Sequence, residues 1–493
     1  MTNKPANGSS NADYPLIPEA SVSEWSRETD VLVVGIGAAG TTASIEAREA
    51  GAEVLILERA SGLSGTTCVA GGVVYLGGGT RPQLANQFRD TPDEMFNYLI
   101  ANTPEPDEEK IRMYCDESVA HFEWLIAHDV PFNLGYWKTK HHEPPSTDCL
   151  SWSGNEKAWP ISESVAPSPR GHKVEHEGGE AGGLLVRRLV SKGEGLGIEA
   201  EYDANVRNLV TNARGRVVGV RYTVFGEERW VRARRGVVLA AGGFSMNRDM
   251  LDEHCPDLAQ KGIMKQGNPN DDGAGILMGQ AAGGYGIHMD GALITAPFYP
   301  PPSLIKGILV NESGRRFINE DCYHARTSDA AIRQANGTVY LICDDASFGR
   351  PELGMQKLID AWDSVEEMER DLGLPAGELQ DEIARYNAFA SASDDADFHK
   401  AAEWLEPIAK APFAALECSL NKSYYVGFTL GGLAVSAEGE VLKKDGNSVA
   451  GLYAAGACAS NIAQDGKGYS SGTCIGEATF FGRRAGRHAA TNN

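Results

Sequence analysis

Thr29-Asp-Val-Leu-Val-Val-Gly-Ile-Gly-Ala-Ala-Gly40 joins a short apolar run to the glycine pattern Gly-x-Gly-x-x-Gly. An apolar run of this length is typical of a buried parallel strand. Residues 39–50 have a helical composition, and residues 53–58, Glu-Val-Leu-Ile-Leu-Glu, make a second apolar run. Strand, glycine turn, helix and strand in this order predict a β-α-β unit and therefore an α/β fold.

The glycines of this unit predict a dinucleotide site. Gly35 would make the tight turn, Gly37 would let a pyrophosphate approach the backbone at the helix N-terminus, and Gly40 would let helix and strand pack closely. Glu58 stands 18 residues after Gly40 (58 − 40 = 18), where a carboxylate accepts hydrogen bonds from an adenosine ribose. The alternative is a glycine-rich turn without a ligand. Residues 193–197, a second glycine cluster, are predicted to be a loop, which leaves a single dinucleotide.

Later glycine segments favour FAD over NAD. Residues 64–72 offer backbone N–H groups that could cradle a phosphate and the flavin edge. Residues 237–243 end an apolar run in Gly-Gly, where a flat cofactor needs small neighbours. Residues 451–456 and 472–476 would bring another helix N-terminus to the cofactor, and its dipole would stabilise the anion of a reduced flavin. NAD enzymes rarely need such returns from a distant C-terminus.

The composition excludes several classes of protein. The 493 residues include 45 Lys and Arg against 67 Asp and Glu, a formal net charge of -22, so neither nucleic acid nor an anionic membrane surface is expected as a partner. No apolar run approaches the roughly 20 residues that span a bilayer. The 9 cysteines form no Cys-x-x-Cys pair and the N-terminus has no secretory pattern, which favours the cytoplasm. No metal site is predicted.

The distribution of glycines and of helix and strand patterns along the chain predicts its domain organisation. Residues 1–27 are expected to be a loose N-terminal arm, and residues 28–290 the first piece of the FAD-binding domain. Within that piece, residues 201–243 predict a small antiparallel meander that returns to the main sheet. Residues 291–422 have fewer glycines and mixed helix and strand patterns, so we expect an inserted second domain there. Residues 423–493 would complete the FAD-binding domain.

These segments, together with Asn311-Glu-Ser-Gly-Arg-Arg-Phe-Ile-Asn-Glu320 and Gly431-Gly-Leu433, resemble the fumarate reductase/succinate dehydrogenase flavoprotein superfamily over about residues 30–486. The resemblance implies a Rossmann-like, glutathione reductase-type FAD-binding domain in two sequence pieces, with an inserted α+β catalytic or capping domain. It also implies the cofactor-binding residues, which we take as Gly35, Gly37, Ala38, Ala39, Gly40, Glu58, Arg59, Ser64, Gly65, Thr66, Thr67, Gly71, Gly72, Val206, Ala241, Gly242, Asp272, Gly456, Gly472, Thr473 and Ile475.

Within this superfamily the chain departs from the dicarboxylate enzymes. Those enzymes hold substrate carboxylates with a His and an Arg, but residues 427–431 contain no His and residues 466–472 no Arg. The loop 64–72 has no His for a covalent link, so the FAD is expected to be noncovalent. One residue departs from the wider superfamily pattern, since Ala457 stands where many members have an acid for the ribityl chain.

The chain is similar instead to bacterial 3-ketosteroid dehydrogenases, most of all to the Δ4-(5α) type. The resemblance rests on Asp321-Cys-Tyr323, on Tyr469-Ser-Ser471-Gly-Thr473 and on Tyr75-Leu-Gly-Gly-Gly-Thr80. It implies that Tyr323, Tyr469 and Ser471 line a steroid pocket. Relatives of the Δ1 type usually carry Pro-Gly after the last tyrosine, which residues 470–472 lack.

Desaturation beside a ketone explains these residue types. An α proton is removed and a β hydride passes to flavin N5, while hydrogen-bond donors stabilise the developing enolate. We expect Tyr323 and Ser471 to handle the proton, and Tyr469 with the Gly472 region to polarise the carbonyl; which group is the base stays open. The partner is then a small apolar ketone, with an unidentified electron acceptor. The alternatives are a Δ1-dehydrogenase, a flavin-dependent ene reductase, or an electron-transfer flavoprotein.

Three charged residues on either side of Tyr323 also have specific interpretations. Arg316 and Glu320 are expected to form a structural ion pair. Arg326 lies where dicarboxylate reductases keep an acid-base arginine and is a second-rank candidate.

Overall fold

A computed structural model describes residues 10–492 of the chain. The first nine residues of the predicted arm, and residue 493, lie outside the described residues. The later part of that arm is not detached, because Tyr14 is buried and Ile17–Pro18 pairs in parallel with a strand of the main sheet. The domain boundaries at residues 27, 290 and 422 stay predictions.

The strands, numbered in chain order, are β1 Ile17–Pro18, β2 Arg27–Val34, β3 Val54–Leu57, β4 Val73–Tyr75, β5 Leu150–Ser151, β6 Gly171–Lys173, β7 Glu199–Glu201, β8 Ala204–Thr211, β9 Val217–Val224, β10 Glu227–Leu239, β11 Ile263–Lys265, β12 Gly286–Ile287, β13 Ala292–Thr295, β14 Ile308–Asn311, β15 Val339–Asp344, β16 Lys357–Trp362, β17 Phe413–Glu417, β18 Tyr425–Thr429, β19 Gly432–Leu433, β20 Glu440–Leu442 and β21 Ser448–Ala454.

The α-helices are α1 Ala38–Glu49, α2 Arg81–Ala85, α3 Pro92–Asn102, α4 Glu108–Asp116, α5 Ser118–Ala127, α6 Ile161–Ser164, α7 Ala181–Gly195, α8 Arg248–His254, α9 Pro256–Ala259, α10 Ala274–Ala281, α11 His324–Ile332, α12 Val365–Asp371, α13 Glu378–Ala392 and α14 Thr473–Thr491.

The main sheet is a mixed sheet of nine strands with a parallel centre. Its order is β1-β8-β9-β10-β2-β3-β7, and β21 pairs with β10 and β20 with β21. Strand β2 runs parallel to β3, with Val31 opposite Val54, and parallel to β10 on its other side. The side chains of Val31 and Val33 pack into one hydrophobic core and those of Leu32 and Val34 into another, so both faces of β2 are covered, which explains its run of buried apolar residues. The predicted α/β fold is confirmed.

The antiparallel part of this sheet is the predicted meander. Strands β8, β9 and β10 pair antiparallel in sequence order. The far end of β10 then leaves β9 and runs parallel to both β2 and β21. One long strand therefore returns the chain to the centre of the sheet, next to the glycine turn after β2.

The prediction of a loop over residues 193–197 was wrong for its first part. Helix α7 continues through Gly195, and residues 196 and 197 end it. The buried Leu185, Val186 and Leu189 anchor this helix on the main core. Their packing outweighs the low helix propensity of glycine.

Within the predicted insert, a second hydrophobic core packs around a smaller sheet. The order β14-β15-β17-β16 is antiparallel throughout. Its core joins Ile308 and Ile342 to Met368, Ile383 and Tyr386, which lie on and around α12 and α13. Strand β13 pairs instead with β18, so a shared three-stranded sheet, β11-β18-β13, connects the two bodies of the molecule.

A small apolar cluster lies apart from both cores. It contains Leu293, Tyr323, Leu430 and Tyr469, with Phe428 packed against it. Two of the three residues expected to handle the substrate are therefore neighbours. Among the described residues, no helix combines the length and the apolar character needed to cross a bilayer.

Candidate active site

One cavity of about 510 Å³ joins the glycine turn after β2 to the apolar cluster. It is lined by Tyr323, Tyr469 and Ser471 and by most of the expected cofactor residues: Gly35, Gly37, Ala38, Ala39, Glu58, Arg59, Ser64, Gly65, Thr66, Thr67, Gly71, Gly72, Val206, Ala241, Gly242, Asp272, Gly456, Gly472 and Ile475. The fold thus brings together residues that are more than 400 positions apart in the chain.

Two expected cofactor residues, Gly40 and Thr473, lie outside the cavity wall. A Cβ atom on Gly40 would stand 2.0 Å from the carbonyl oxygen of Gly35, so Gly40 permits close packing of helix on turn. Thr473 is buried and donates from Oγ1 to the carbonyl oxygen of Ser470 at 2.9 Å. Both residues shape the backbone beside the cavity.

The glycine turn leaves a helix end open to the cavity. Gly35 has a φ of +102°, and a Cβ there would lie 2.4 Å from the carbonyl oxygen of Ala240. Helix α1 begins directly afterwards, and its N-cap residue, Gly37, provides no side-chain cap. The N–H of Ala38 donates to Thr67 Oγ1 at 3.3 Å, and the following N–H groups of the first helical turn can donate to an anion.

Glu58 closes this end of the cavity at the tip of β3. Its Oε2 accepts from the N–H of Ile36 at 2.9 Å, and its Oε1 accepts from the N–H of Ala60 at 2.8 Å. Burial raises the pKa of the Glu58 carboxyl, although both N–H groups oppose that shift. The next residue, Arg59, forms an ion pair with Asp272 at 2.6 Å between Nη1 and Oδ2.

The loop after Glu58 is held by residues that the sequence analysis did not identify. Thr66 donates to Asp271 and accepts from the N–H of Asn268, and both partners line the cavity. Burial raises the pKa of Asp271 to about 6. Asp271 adjoins the expected Asp272, but only the fold shows that it contacts the loop 64–72.

A second open helix end faces the same cavity. Helix α14 follows Gly472, which again provides no side-chain cap. Glu477, one turn into this helix, lines the cavity and accepts from the N–H groups of Ile462 and Ala463 at 2.8 and 3.1 Å. Burial raises the pKa of Glu477 to about 7. Its place beside the last glycine segment is the signal that sequence reasoning missed.

These features fit a flavin dinucleotide. Two uncapped helix ends suit the pyrophosphate and the electron-rich flavin ring, and a carboxylate stands where a ribose would bind. Among residues 10–492, no group of three His, Cys, Asp or Glu side chains is arranged to hold a metal ion. The donor set is that of a nucleotide site.

Tyr323 and Ser471 form a hydroxyl pair at the other end of the cavity. Their Oη and Oγ atoms are 2.6 Å apart, and either can be the donor. Tyr323 occupies the N-cap position of α11 without a side-chain cap, and Ser471 lies just before α14. The Tyr469 ring lies 6.3 Å from the Tyr323 ring, centroid to centroid. The three residues predicted for the substrate therefore share one wall.

Burial dominates the electrostatics of this wall. It raises the pKa of Tyr323 far above the usual value, while the hydrogen bond to Ser471 acts in the opposite direction. Burial also raises the pKa of Tyr469, and Cys474 and Tyr323 add to that shift. Both phenols are therefore protonated near neutral pH, so each hydroxyl can donate a hydrogen bond.

The cavity offers no free cation for a carboxylate substrate. Of its described lining residues, Arg59 is already paired with Asp272, and the histidines are His142 and His324. Burial lowers the pKa of His142 to about 4 and lowers the pKa of His324 well below its usual value. The substrate end is otherwise apolar, with walls made by Leu293, Leu353, Met355, Val426, Phe428 and Leu430.

The charged motif residues lie away from the cavity. Arg316 forms the expected ion pair with Glu320 at 2.9 Å and a second pair with Asp395, both fully buried in the smaller body of the molecule. Arg326 donates to the carbonyl oxygen of Trp159 at 3.1 Å. Neither arginine lines the cavity.

Comparison with protein families and known proteins identifies the family of the chain. Residues 30–471 match the family described as FAD binding domain. The chain is 42% identical to a 3-ketosteroid Δ4-(5α)-dehydrogenase from Rhodococcus jostii RHA1, solved in complex with 4-androstene-3,17-dione; the alignment covers 97% of this chain and 100% of that one, with a TM-score of 0.90.

Two other relatives are more distant. A 3-oxo-5-alpha-steroid 4-dehydrogenase of Comamonas testosteroni is 28% identical over 499 residues, covering 88% of this chain and 93% of the relative. A 3-ketosteroid Δ1-dehydrogenase from Sterolibacterium denitrificans is 20% identical, with a TM-score of 0.72 over 95% of this chain and 100% of that one. At that identity the likeness concerns the fold alone.

Proposed function

The chain belongs to the FAD-dependent oxidoreductases of the steroid dehydrogenase and fumarate reductase family, and from this premise we propose that it desaturates a 3-oxosteroid at the 4,5 bond. The observation that carries the proposal is the Tyr323–Ser471 hydroxyl pair, 2.6 Å apart, in an apolar cavity continuous with the cofactor residues. The FAD is held noncovalently.

The residues of the hydroxyl pair take the α proton. Because both hydroxyls of the pair are protonated at rest, one proton must first leave the pair to solvent. As the C–H bond at carbon 4 then breaks, its proton passes to the deprotonated oxygen of Tyr323 or, through the short hydrogen bond, to that of Ser471. The hydride leaves carbon 5, and the electron pair of the broken C4–H bond forms the new double bond. Bound FAD supplies the hydride acceptor.

Tyr469 and the Gly472 region bind the carbonyl at carbon 3. Tyr469 is protonated because burial raises its pKa, so its hydroxyl can donate to an oxygen on which negative charge develops. The apolar walls exclude water from this region, which strengthens each of these hydrogen bonds.

Several observations favour a neutral ketone over a dicarboxylate, and the 4,5 bond over the 1,2 bond. The described cavity wall has no unpaired cation, and its histidines are neutral at pH 7. The solved relative at 42% identity is a Δ4-(5α)-dehydrogenase. Residues 470–472 also lack the Pro-Gly that relatives of the Δ1 type usually carry.

An anaerobic titration of the yellow holoprotein tests the proposal. A 5α-saturated 3-oxosteroid should bleach the flavin band, and the product should be the 4-en-3-one, identified by NMR. A 1-en-3-one would assign the chain to the Δ1 reaction instead. Bleaching by succinate but not by the steroid would overturn the steroid assignment, and inertness to all of them would favour an electron-transfer flavoprotein.

A further inference from the structure

A three-residue segment, Ser153–Gly154–Asn155, contacts the backbone of the two residues that form the hydroxyl pair. The carbonyl oxygen of Ser153 accepts from the backbone N–H of Ser471 at 2.7 Å. The Oδ1 atom of Asn155 accepts from the backbone N–H of Tyr323 at 2.8 Å. One short segment therefore holds the backbone of both residues whose hydroxyls meet.

Asn155 makes a further hydrogen bond to the segment 467–471, which carries Tyr469 and Ser471. Its Nδ2 donates to the carbonyl oxygen of Lys467 at 3.2 Å, and its side chain is fully buried. The side chain at position 155 must therefore accept one hydrogen bond and donate another from two atoms of one small planar group. A carboxamide provides both at once.

Residues 153–155 have no room to move against the segment 467–471. The backbone N–H of Asn155 donates to Tyr98 Oη at 2.9 Å, and Tyr98 Oη lies 2.8 Å from Ser470 Oγ. A Cβ atom on Gly154 would stand 2.1 Å from Ser470 Oγ and 2.5 Å from Tyr98 Oη. Because the contacts are this close, a shift of residues 153–155 would be transmitted to residues 470 and 471.

We propose that Asn155 is a positioning residue, which fixes the Tyr323 and Ser471 hydroxyls within hydrogen-bond distance by binding the backbone of Tyr323 and of Lys467. Neither the dinucleotide motif nor the substrate motifs include this residue. The inference rests on the proposed function in one respect: it takes the hydroxyl pair to be the group that accepts the proton.

The first test is Asn155→Ala in the FAD-loaded protein. We expect an unchanged FAD content and an unchanged steroid concentration for half-saturation. The rate of flavin reduction in a single turnover should fall by about 10²-fold, because proton transfer is sensitive to misplacement on the scale of 1 Å. The matched control is Asn208→Ala: Asn208 is equally buried and bonds Pro15 and Arg221 outside the cavity, so its loss should lower stability and leave the rate unchanged.

A double-mutant cycle with Ser471→Ala separates positioning from a general structural effect. If Asn155 acts through the hydroxyl pair, Asn155→Ala should slow the Ser471→Ala protein by less than threefold, since the bond it preserves is already absent. Rate losses that multiply across the two substitutions would overturn the proposal. An Asn155→Ala protein as fast as the wild type would also overturn it.

A structural measurement tests this inference independently of the proposed reaction. In a crystal structure of the Asn155→Ala holoprotein, the Tyr323 Oη to Ser471 Oγ separation should exceed 3.5 Å, the limit of a hydrogen bond. A separation unchanged at 2.6 Å would overturn the positioning role even if no steroid reduces the wild-type flavin. Should Asn155→Ala fail to fold, Asn155→Asp retains the volume and the acceptor for Tyr323 but loses the donor to Lys467, and the same two measurements apply.

Discussion

Tyr323 combines a hydroxyl that we propose takes part in proton transfer with an aromatic ring that packs against its neighbours. The ring packs 4.0 Å from His324 and 6.3 Å from Tyr469, centroid to centroid, while the hydroxyl bonds Ser471. Tyr323→Phe removes the hydroxyl alone. We expect the FAD to stay bound and the rate of anaerobic flavin reduction by a saturated 3-oxosteroid to fall by about 10² to 10⁴-fold, the usual contribution of a general base.

Tyr425→Phe is the matched control for this change. Tyr425 is equally buried and donates to the carbonyl oxygen of Cys418 at 2.7 Å, but it does not line the cavity. Its loss should cost about 1 kcal/mol of stability and leave the rate of flavin reduction unchanged. Equal rates in Tyr323→Phe and the wild type would remove Tyr323 from the mechanism.

Glu477 predicts a pH dependence of stability. Burial raises the folded pKa of this carboxyl to about 7 from 4.5, so the folded protein retains a proton that the unfolded chain has already lost. Its contribution to stability is complete below pH 4.5 and declines as the pH rises through 7. Glu477→Gln keeps an oxygen for the N–H groups of Ile462 and Ala463 and removes the ionisation. Relative to the wild type, the variant should gain up to about 3 kcal/mol between pH 4.5 and pH 8.

Urea unfolding of both proteins at one fixed FAD concentration measures this difference. Because every other titrating group is common to the two proteins, the change in their stability gap with pH isolates residue 477. The prediction would be contradicted if the free energy of unfolding of Glu477→Gln minus that of the wild type stayed constant from pH 4.5 to pH 8, or fell as the pH rises.

At the scale of elements, the sequence predicts the type of a helix or strand better than its ends. The sequence predicts a closing helix over residues 476–489, and in the structure that helix extends from Thr473 to Thr491. Its first turn could not be predicted because Gly472, at φ +99°, starts the helix without a capping side chain. The helical end of α7 was missed for a related reason, since buried leucines outside the glycine cluster stabilise it.

Helix α14 lies against α1 at a distance that only glycine allows. A Cβ atom on Gly486 would stand 2.0 Å from the carbonyl oxygen of Ala43. We expect Gly486→Ala to push the helices apart and to lower the free energy of unfolding by about 1 to 3 kcal/mol. The affinity for FAD should fall too, because the open N-terminal ends of both helices face the cofactor cavity.

Gly195→Ala provides the comparison, since a Cβ on Gly195 meets nothing within 4 Å. Alanine there should leave stability unchanged or raise it by up to about 1 kcal/mol, as helix propensity predicts. Denaturant unfolding with and without added FAD measures both effects. A Gly486→Ala protein as stable as Gly195→Ala would contradict the close-packing argument.

At the scale of the whole molecule, the active site is assembled from distant parts of the chain. The resemblance to 3-ketosteroid dehydrogenases predicts Tyr323, Tyr469 and Ser471 as substrate residues, because each lies in a motif of that family. They do not identify Asn155 or Asp271, whose tasks consist of contacts with residues far away in sequence. Composition does not predict such contacts, since a buried Asn or Asp acquires its partners only when distant segments of the chain pack together.

The net charge of -22 allows a last prediction about the substrate. An acidic molecule slows the approach of anions, and salt screens that repulsion as the Debye length falls from about 10 Å at 0.1 M to about 3 Å at 1 M. A neutral 3-oxosteroid has no charge to be steered. The apparent second-order rate of flavin reduction at low steroid concentration should therefore change by less than about twofold between 0.05 and 0.5 M NaCl. The same rate for a steroid carrying a sulfate group should rise with salt, which provides the internal control. A strong salt dependence with the neutral steroid would indicate that charged groups, and not the apolar wall around Tyr469, govern substrate entry.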